Sequence, residues 1–315
     1  MSYAMIYPGQ GSQVVGMGRD IFDAFAVARD VFFRADEALG FALSKVIFEG
    51  PEEELKRTAI TQPALLTTSI ALQTALEEVL GAPPAPAYLA GHSLGEYTAL
   101  VAGGALSFED GVRLVHLRGT LMQEAVPEGE GAMAAILGLD GETVARVCEE
   151  AAPAGECQPA NFNCPGQVVI SGKTDFVESA MALAKERGAK RAVPLNVSAP
   201  FHSSLMRPVA DKLLAAFDRC TWSAPAVPVV SNAWARPVSE VQEIQRALFD
   251  QTFMPVLWDD SVNVMADRGV DTFFEVGPGT VLSGLVRKCR KGLLVQACGT
   301  HDEVVALADR LKEMM

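Results

Sequence analysis

An α/β fold built on a mostly parallel sheet is predicted for this 315-residue chain by three observations. Short apolar runs alternate with helical periodicity along most of its length, the pattern of strands joined by crossover helices on both sheet faces. Two of the runs end in glycine-bearing turns, Pro8-Gly9-Gln10-Gly11-Ser12-Gln13 and Gly91-His92-Ser93-Leu94-Gly95. Between about 131 and 194 the order changes to β-α-β-β-α-β, a split ferredoxin-like unit of inserted-domain size. The length accommodates one large core and one smaller one. The expected division is residues 1–128 and 197–315 for the large domain and 129–196 for the small one.

In chain order, Ala4-Met5-Ile6-Tyr7 reads as the first strand and is followed by helical patterns at 21–25 and 27–39. A longer helix is predicted over 63–80, with Thr61 as its N-cap. The connector Ala82-Pro83-Pro84-Ala85-Pro86 leads to an apolar strand ending at Ala90, and a helix opens at Glu96. Ser107-Phe108-Glu109-Asp110 resembles a capping box and starts the next helix, with Asp110 as a capping residue. The inserted unit comprises strands at 132–137, 159–162, 167–171 and 191–195, with helices at 143–151 and 174–187. Thereafter come a helix at 204–217, a strand at 227–231, helices at 241–249 and 256–265, and a strand at 273–276. That last strand meets Gly277-Pro278-Gly279, and a terminal helix runs to residue 315.

Composition narrows the function. With 39 acidic against 26 basic residues the net charge is −13, which opposes a nucleic-acid footprint. Local basic clusters occur at Arg287-Lys288-Cys289-Arg290-Lys291 and at Lys185, Arg187, Lys190 and Arg191, and each also reads as an ordinary solvated face. No apolar run has the length of a membrane span, and the chain enters its first strand without a basic leader, so a cytoplasmic protein is expected. The six cysteines lack C-x-x-C pairs or histidines at ligand spacing, so reduced thiols and no metal site are expected.

Strand, Gly-x-Ser-x-Gly, helix is the context of a nucleophile elbow. The flanking glycines give the tight turn room, the Ser93 hydroxyl stands clear of the sheet, and the Leu94 N–H points where an oxyanion would form. Acyl transfer from an ester or thioester follows as the chemistry. A serine nucleophile needs a base. Of the four histidines, His92 lies within the turn and is expected to point to its opposite side. His116 sits among leucines and His301 opens the last helix, which leaves His202 in a loop at a domain junction, where clefts form. Among the aspartates between Ser93 and His202, Asp110 is assigned to a cap, and Asp140 and Asp175 to the inserted unit. A serine–histidine dyad fits better than a triad. Arg118 is anomalous: it lies on the apolar stripe formed by Leu114, Leu117, Leu121 and Met122, where an unpaired guanidinium is costly. It requires an anionic partner, either a structural carboxylate or a ligand.

These residues occur in the order of a known family. Gly9-Gln10-Gly11-Ser12-Gln13, Gly91-His92-Ser93-Leu94-Gly95-Glu96, Leu117-Arg118-Gly119 and Pro200-Phe201-His202-Ser203 resemble the malonyl-CoA:acyl-carrier-protein transacylases, including stand-alone acyltransferases of polyketide synthases. So do Asn161-Phe162-Asn163-Cys164-Pro165-Gly166-Gln167, Gln251 ahead of Pro255-Val256-Leu257-Trp258, and Glu275-Val276-Gly277-Pro278-Gly279. The resemblance implies an α/β-hydrolase-like large domain roofed by the ferredoxin-like insert. It further implies Ser93 as nucleophile, His202 as base and then acid, and Gln251 or its backbone carbonyl orienting His202. The N–H groups of Gln10 and Leu94 would hold the oxyanion and Arg118 the malonyl carboxylate, while His92, Asn163, Phe201 and Met254 would stand at the pocket.

The substrates implied are malonyl-CoA and a holo acyl carrier protein of fatty-acid or polyketide synthesis, with no cofactor of the enzyme's own and a monomeric state. Carrier proteins are acidic, so Arg287, Lys288, Arg290, Lys291, Lys190 and Arg191 become docking candidates. Phe201 resembles the malonyl-selective pattern, whereas Met254 is bulkier than the residue many members carry. The rivals are a serine thioesterase or acyl-carrier hydrolase, disfavoured by Arg118 and the missing triad acid, and a non-enzymatic docking scaffold.

Overall fold

The computed structural model describes residues 2–127, 129–197 and 199–314. The domain boundary placed at residue 128, the Ser198 start of the His202 loop and the end of the terminal helix at residue 315 fall outside the described residues. The chain is mixed α/β with two sheets. From the N-terminus come β1 (Tyr3–Tyr7), α1 (Arg19–Ala24), α2 (Ala26–Leu39), α3 (Leu43–Glu49), α4 (Glu52–Lys56), α5 (Thr58–Leu80), β2 (Tyr88–Gly91), α6 (Leu94–Ala102) and α7 (Phe108–Glu124). A second group comprises β3 (Gly131–Leu137), α8 (Gly141–Ala151), β4 (Cys157–Cys164), β5 (Gln167–Lys173), α9 (Thr174–Glu186) and β6 (Arg191–Pro194). A 3₁₀ turn at Ser204–Met206 leads to α10 (Arg207–Phe217), β7 (Val229–Ser231), β8 (Arg236–Val238), α11 (Val241–Phe253), β9 (Val256–Leu257) and α12 (Trp258–Asp267). The chain closes with β10 (Thr272–Val276), α13 (Val281–Cys289), β11 (Leu294–Cys298) and α14 (His301–Met314).

The larger sheet has the order β11-β10-β1-β2-β7-β8, parallel except for the β7–β8 pair. Its central strands are buried on both faces, as β1 and β10 are here, which is why they read as continuous apolar runs. The strand expected at 227–231 is β7, whereas its hairpin partner β8 at the sheet edge was not predicted; three residues are too few to show alternation. Register places Tyr7 beside Gly91, so the glycine turn after β1 and the turn after β2 emerge side by side at the carboxyl edge. Sites form at that edge of an open parallel sheet.

The smaller sheet runs β6-β3-β5-β4-β9. Its first four strands come from 131–194 and pair antiparallel, while β9 comes from beyond that segment and pairs parallel to β4 through Asn161↔Val256 and Phe162↔Leu257. The sheet therefore borrows a strand from the chain that leaves α11. Among the described residues, no helix is long and apolar enough to cross a membrane.

Three local expectations are corrected. Helix α5 starts at Thr58, not at 63, and Pro63 lies inside it. Thr61 is no cap: its hydroxyl donates to the Leu55 carbonyl at 2.5 Å. Pro63 has no N–H for the Ala59 carbonyl, and His116 Nδ1 contacts that oxygen at 2.8 Å, which gives this histidine its structural post. α5 is buried on nearly every side, so its periodicity was too weak to mark the start. At α7 the cap is Ser107, whose hydroxyl accepts from the Asp110 N–H at 3.2 Å; Asp110 instead accepts from the Thr221 N–H at 2.9 Å.

Close approach of backbones makes two glycines obligatory. A methyl at Gly91 would overlap the Gly95 carbonyl, and one at Gly95 would overlap the carbonyl oxygen of Tyr7 in β1. Gly95→Ala is accordingly expected to lower the free energy of unfolding by at least about 2 kcal/mol, the scale of forced overpacking. Urea denaturation monitored by circular dichroism measures this, and an unchanged midpoint would mean that α6 does not pack onto β1 as closely as described.

Candidate active site

The turn from β2 into α6 forces Ser93 to φ 54° and ψ −105°, a conformation that L-residues resist. Hydrogen bonds on both sides hold it there. The Ser93 N–H donates to Asn232 Oδ1 at 2.6 Å, and Gln251 Nε2 donates to the Ser93 carbonyl at 2.8 Å. Asn232 in turn donates from Nδ2 to the Gly91 carbonyl at 2.7 Å. Leu94 follows as the first residue of α6, where a backbone N–H has no intrahelical acceptor and is free for a ligand. The Ser93 hydroxyl thus stands at a helix N-terminus, beside an open N–H.

His202 Nε2 lies 2.7 Å from Ser93 Oγ, and its Nδ1 lies 2.8 Å from the Gln251 carbonyl oxygen. A carbonyl only accepts, so Nδ1 carries the ring proton and Nε2 is the lone-pair nitrogen facing the serine. Burial, reinforced by the Arg118 charge, pushes the His202 pKa down to about 3. The imidazole is therefore neutral at physiological pH and ready to accept a proton. The orienting group is the Gln251 backbone; its side chain points elsewhere. Of the two roles open to Gln251, the carbonyl one is what the geometry presents.

Arg118, 1% exposed, extends from α7 to the same hydroxyl. Nη2 donates to Ser93 Oγ at 3.2 Å and to Gln251 Oε1 at 3.0 Å, and Nη1 donates to Gln62 Oε1 at 2.9 Å. The guanidinium stacks 5.3 Å from the Tyr97 ring centroid, and its Nε has no acceptor among the described residues. No carboxylate among the described residues lies within ion-pair distance of it. The structural carboxylate considered for Arg118 is thus replaced by neutral amides, and the cation keeps donor capacity for a ligand.

These groups line a cavity of about 120 Å³ with Gln10, His92, Leu94, Asn161 and Phe201. Its apolar wall comes from Met122, Met133, Leu195 and Val197. His92 is among the residues that line this cavity, and its Nε2 lies 2.8 Å from Asn163 Oδ1. Asn163 stands behind His92, and Met254 is not in the lining: half-buried, it ends α11. The basic candidates lie outside the cavity. Arg287 and Lys288 occupy the last turn of α13, Arg290 is paired with Asp267, and Lys190 and Arg191 sit at β6. Sequence reasoning missed Asn232 and Gln62, which carried no motif, and passed over Glu96 as a helix-opening residue.

Residues 4–307 match the acyl transferase domain family. The malonyl CoA-acyl carrier protein transacylase of Bacillus subtilis is 50% identical over 311 residues, 98% of this chain and 97% of the relative. That of Escherichia coli K12 is 50% identical over 304 residues, 96% of this chain and 98% of the relative. Among solved structures, an acyl carrier protein S-malonyltransferase from Vibrio cholerae superposes with TM-score 0.94 at 45% identity, covering 98% of this chain and all of the other. A malonyl-transacylase in complex with its type II polyketide-synthase acyl carrier protein gives TM-score 0.95 at 44% identity, with the same coverage. The chain belongs to the acyl transferase family, among its malonyl-CoA:acyl-carrier-protein transacylases.

Proposed function

We propose that this protein moves a malonyl group from coenzyme A to the phosphopantetheine thiol of an acyl carrier protein through an acyl-serine at Ser93. The observation that carries the reading is one hydroxyl contacted by two groups of opposite purpose: His202 Nε2 at 2.7 Å and Arg118 Nη2 at 3.2 Å. A base alone would serve any acyl group. A buried, unpaired guanidinium beside the nucleophile selects an acyl group bearing its own carboxylate. That is also why transfer of an acidic acyl group is favoured over a general thioesterase.

In the first half-reaction Ser93 Oγ attacks the thioester carbonyl and its proton passes to His202 Nε2. The tetrahedral oxygen is held by the N–H groups of Leu94 and Gln10, and Arg118 receives the malonate carboxylate. Collapse expels the CoA sulfur, which leaves with the His202 proton. In the second, the carrier's thiol gives its proton to His202 and attacks the acyl-serine carbonyl, and Ser93 leaves as the hydroxyl. Gln251 holds the imidazole through its carbonyl, and His92, backed by Asn163, together with Phe201 shapes the acyl pocket. Met254 supports the Gln251 end of α11 rather than the acyl group. The thioester supplies the driving force, so no further cofactor is called for.

In architecture we assign residues 1–128 and 197–315 to an α/β-hydrolase-like domain and 129–196 to a ferredoxin-like insert whose sheet β9 extends. Arg287, Lys288, Arg290 and Lys291, and as a second cluster Lys190 and Arg191, are the docking candidates for the acidic carrier, and the protein acts as a cytoplasmic monomer.

Intact-protein mass spectrometry tests the reading. Malonyl-CoA should add one malonyl mass, removed by holo carrier protein and absent in Ser93→Ala; an adduct that decays equally fast in buffer alone would instead establish a hydrolase. Arg118→Ala should slow malonyl transfer by about 100-fold or more, as loss of a buried charge partner does, while acetyl transfer is spared or improved. Equal losses for both acyl groups, read from initial rates, would make Arg118 structural. Arg287→Glu with Lys288→Glu should raise the KM for holo carrier protein about fivefold at low salt without changing acyl-serine formation from malonyl-CoA. An unchanged KM would move docking to another face.

A further inference from the structure

Among the described residues Glu96 is the one buried acid at the elbow, 1% exposed, and the proposed reaction gives it no role. A carboxylate taken out of water is costly unless its oxygens are well used. Here a single oxygen, Oε2, accepts two hydrogen bonds at 3.0 Å each, from the Asn232 N–H and from Gln251 Nε2. Those two residues are the ones that clamp Ser93. Asn232 holds its N–H and Gln251 holds its carbonyl. Gln251 also presents the carbonyl that holds His202 Nδ1 and the Oε1 that holds Arg118 Nη2. An amide has one donor end, and Glu96 together with the Ser93 carbonyl claims it, which leaves Oε1 facing the arginine.

We propose that Glu96 is a positioning residue: by tying Asn232 to Gln251 it sets the attack geometry of Ser93 against His202 and the placement of Arg118. The inference rests on Ser93 being the nucleophile. Glu96 reaches no reacting atom; it acts through its two neighbours. An ionised acceptor holds such donors more strongly than a neutral one. Burial raises the Glu96 pKa to about 7, against the opposing pull of the Asn232 and Gln251 hydrogen bonds and of Arg118. Reactivity should therefore rise as Glu96 ionises near neutrality. Of the groups around it, His202 is pushed down to about 3, His92 lies below its ordinary value through burial, Tyr97 is raised to about 12, and Arg118 stays charged.

The test is the rate at which an alkyl fluorophosphonate labels Ser93 between pH 5.5 and 8.5, in wild type and in Glu96→Gln. The wild-type rate should climb about tenfold through an inflection near pH 7, while Glu96→Gln, isosteric but uncharged, stays at the acid-side plateau throughout. Glu96→Leu, which removes the acceptor, should fall below that plateau, with partial rescue in Glu96→Gln that a mere loss of packing would not give. Superimposable wild-type and Glu96→Gln profiles would overturn the proposal. So would a wild-type rate without the inflection, whether or not either variant folds. Ser93→Ala is the separate control: labelling that persists there refutes the nucleophile assignment and not the role of Glu96 alone.

Discussion

Ser93 occupies a backbone conformation that costs on the order of 1–3 kcal/mol, and the surrounding structure is arranged to keep it there. The turn can be this sharp only because Gly91 and Gly95 lack side chains; each backbone passes where a methyl would sit. β1 must run beside β2 in a fixed register for Gly95 to rest on the Tyr7 carbonyl, and β7 must follow on the other side to deliver Asn232 to the Ser93 N–H. Helix α11 must end where Gln251 meets both the Ser93 carbonyl, through its side-chain amide, and the His202 ring, through its own carbonyl. The sheet order and the long-range returns of the chain thus converge on one peptide unit.

The second organising feature is a cation without a counter-ion. Arg118 is surrounded by amide oxygens, a hydroxyl and an aromatic face, all of them neutral. Burial lowers its pKa, but an arginine starts far above neutrality and remains charged. Had a carboxylate been paired with it directly, an incoming malonate would have to break a buried ion pair. Placing the nearest acid, Glu96, one amide away offsets part of the charge through space while leaving the guanidinium donors open. The net charge of −13 repels acidic partners at long range, yet salt screens that field within about 8 Å, so local cations govern the final approach.

The elbow was legible in the sequence because its requirements are local: a strand, two glycines, a serine and a helix lie within a dozen residues. His202 emerged by elimination among only four histidines, and its ring is the one found against the Ser93 hydroxyl. Arg118 announced itself as a charge on an apolar stripe, and the later geometry gave that anomaly a cause. Asn232 and Gln62 were invisible because their roles depend on contacts 139 and 56 residues away, which no spacing encodes. The start of α5 was lost for a different reason: a helix buried all round has no polar face to set its phase. Strand β9 is two residues long, and only its partner β4 makes it a strand at all.

In the proposed reaction the acyl-serine must survive until a thiol reaches it, and the site favours that outcome by its lining. Met122, Met133, Leu195 and Val197 offer a water molecule no hydrogen bonds, and water is retained only where it finds two or more polar partners. A thiol on a long flexible arm has no such demand: its stem gains from apolar contact and its proton has one acceptor, the neutral His202. A thiol, with an ordinary pKa near 8.5, also gives up its proton far more easily than water does, whichever base receives it. Transfer rather than hydrolysis is then favoured by a dry wall and by the acidity of the thiol itself.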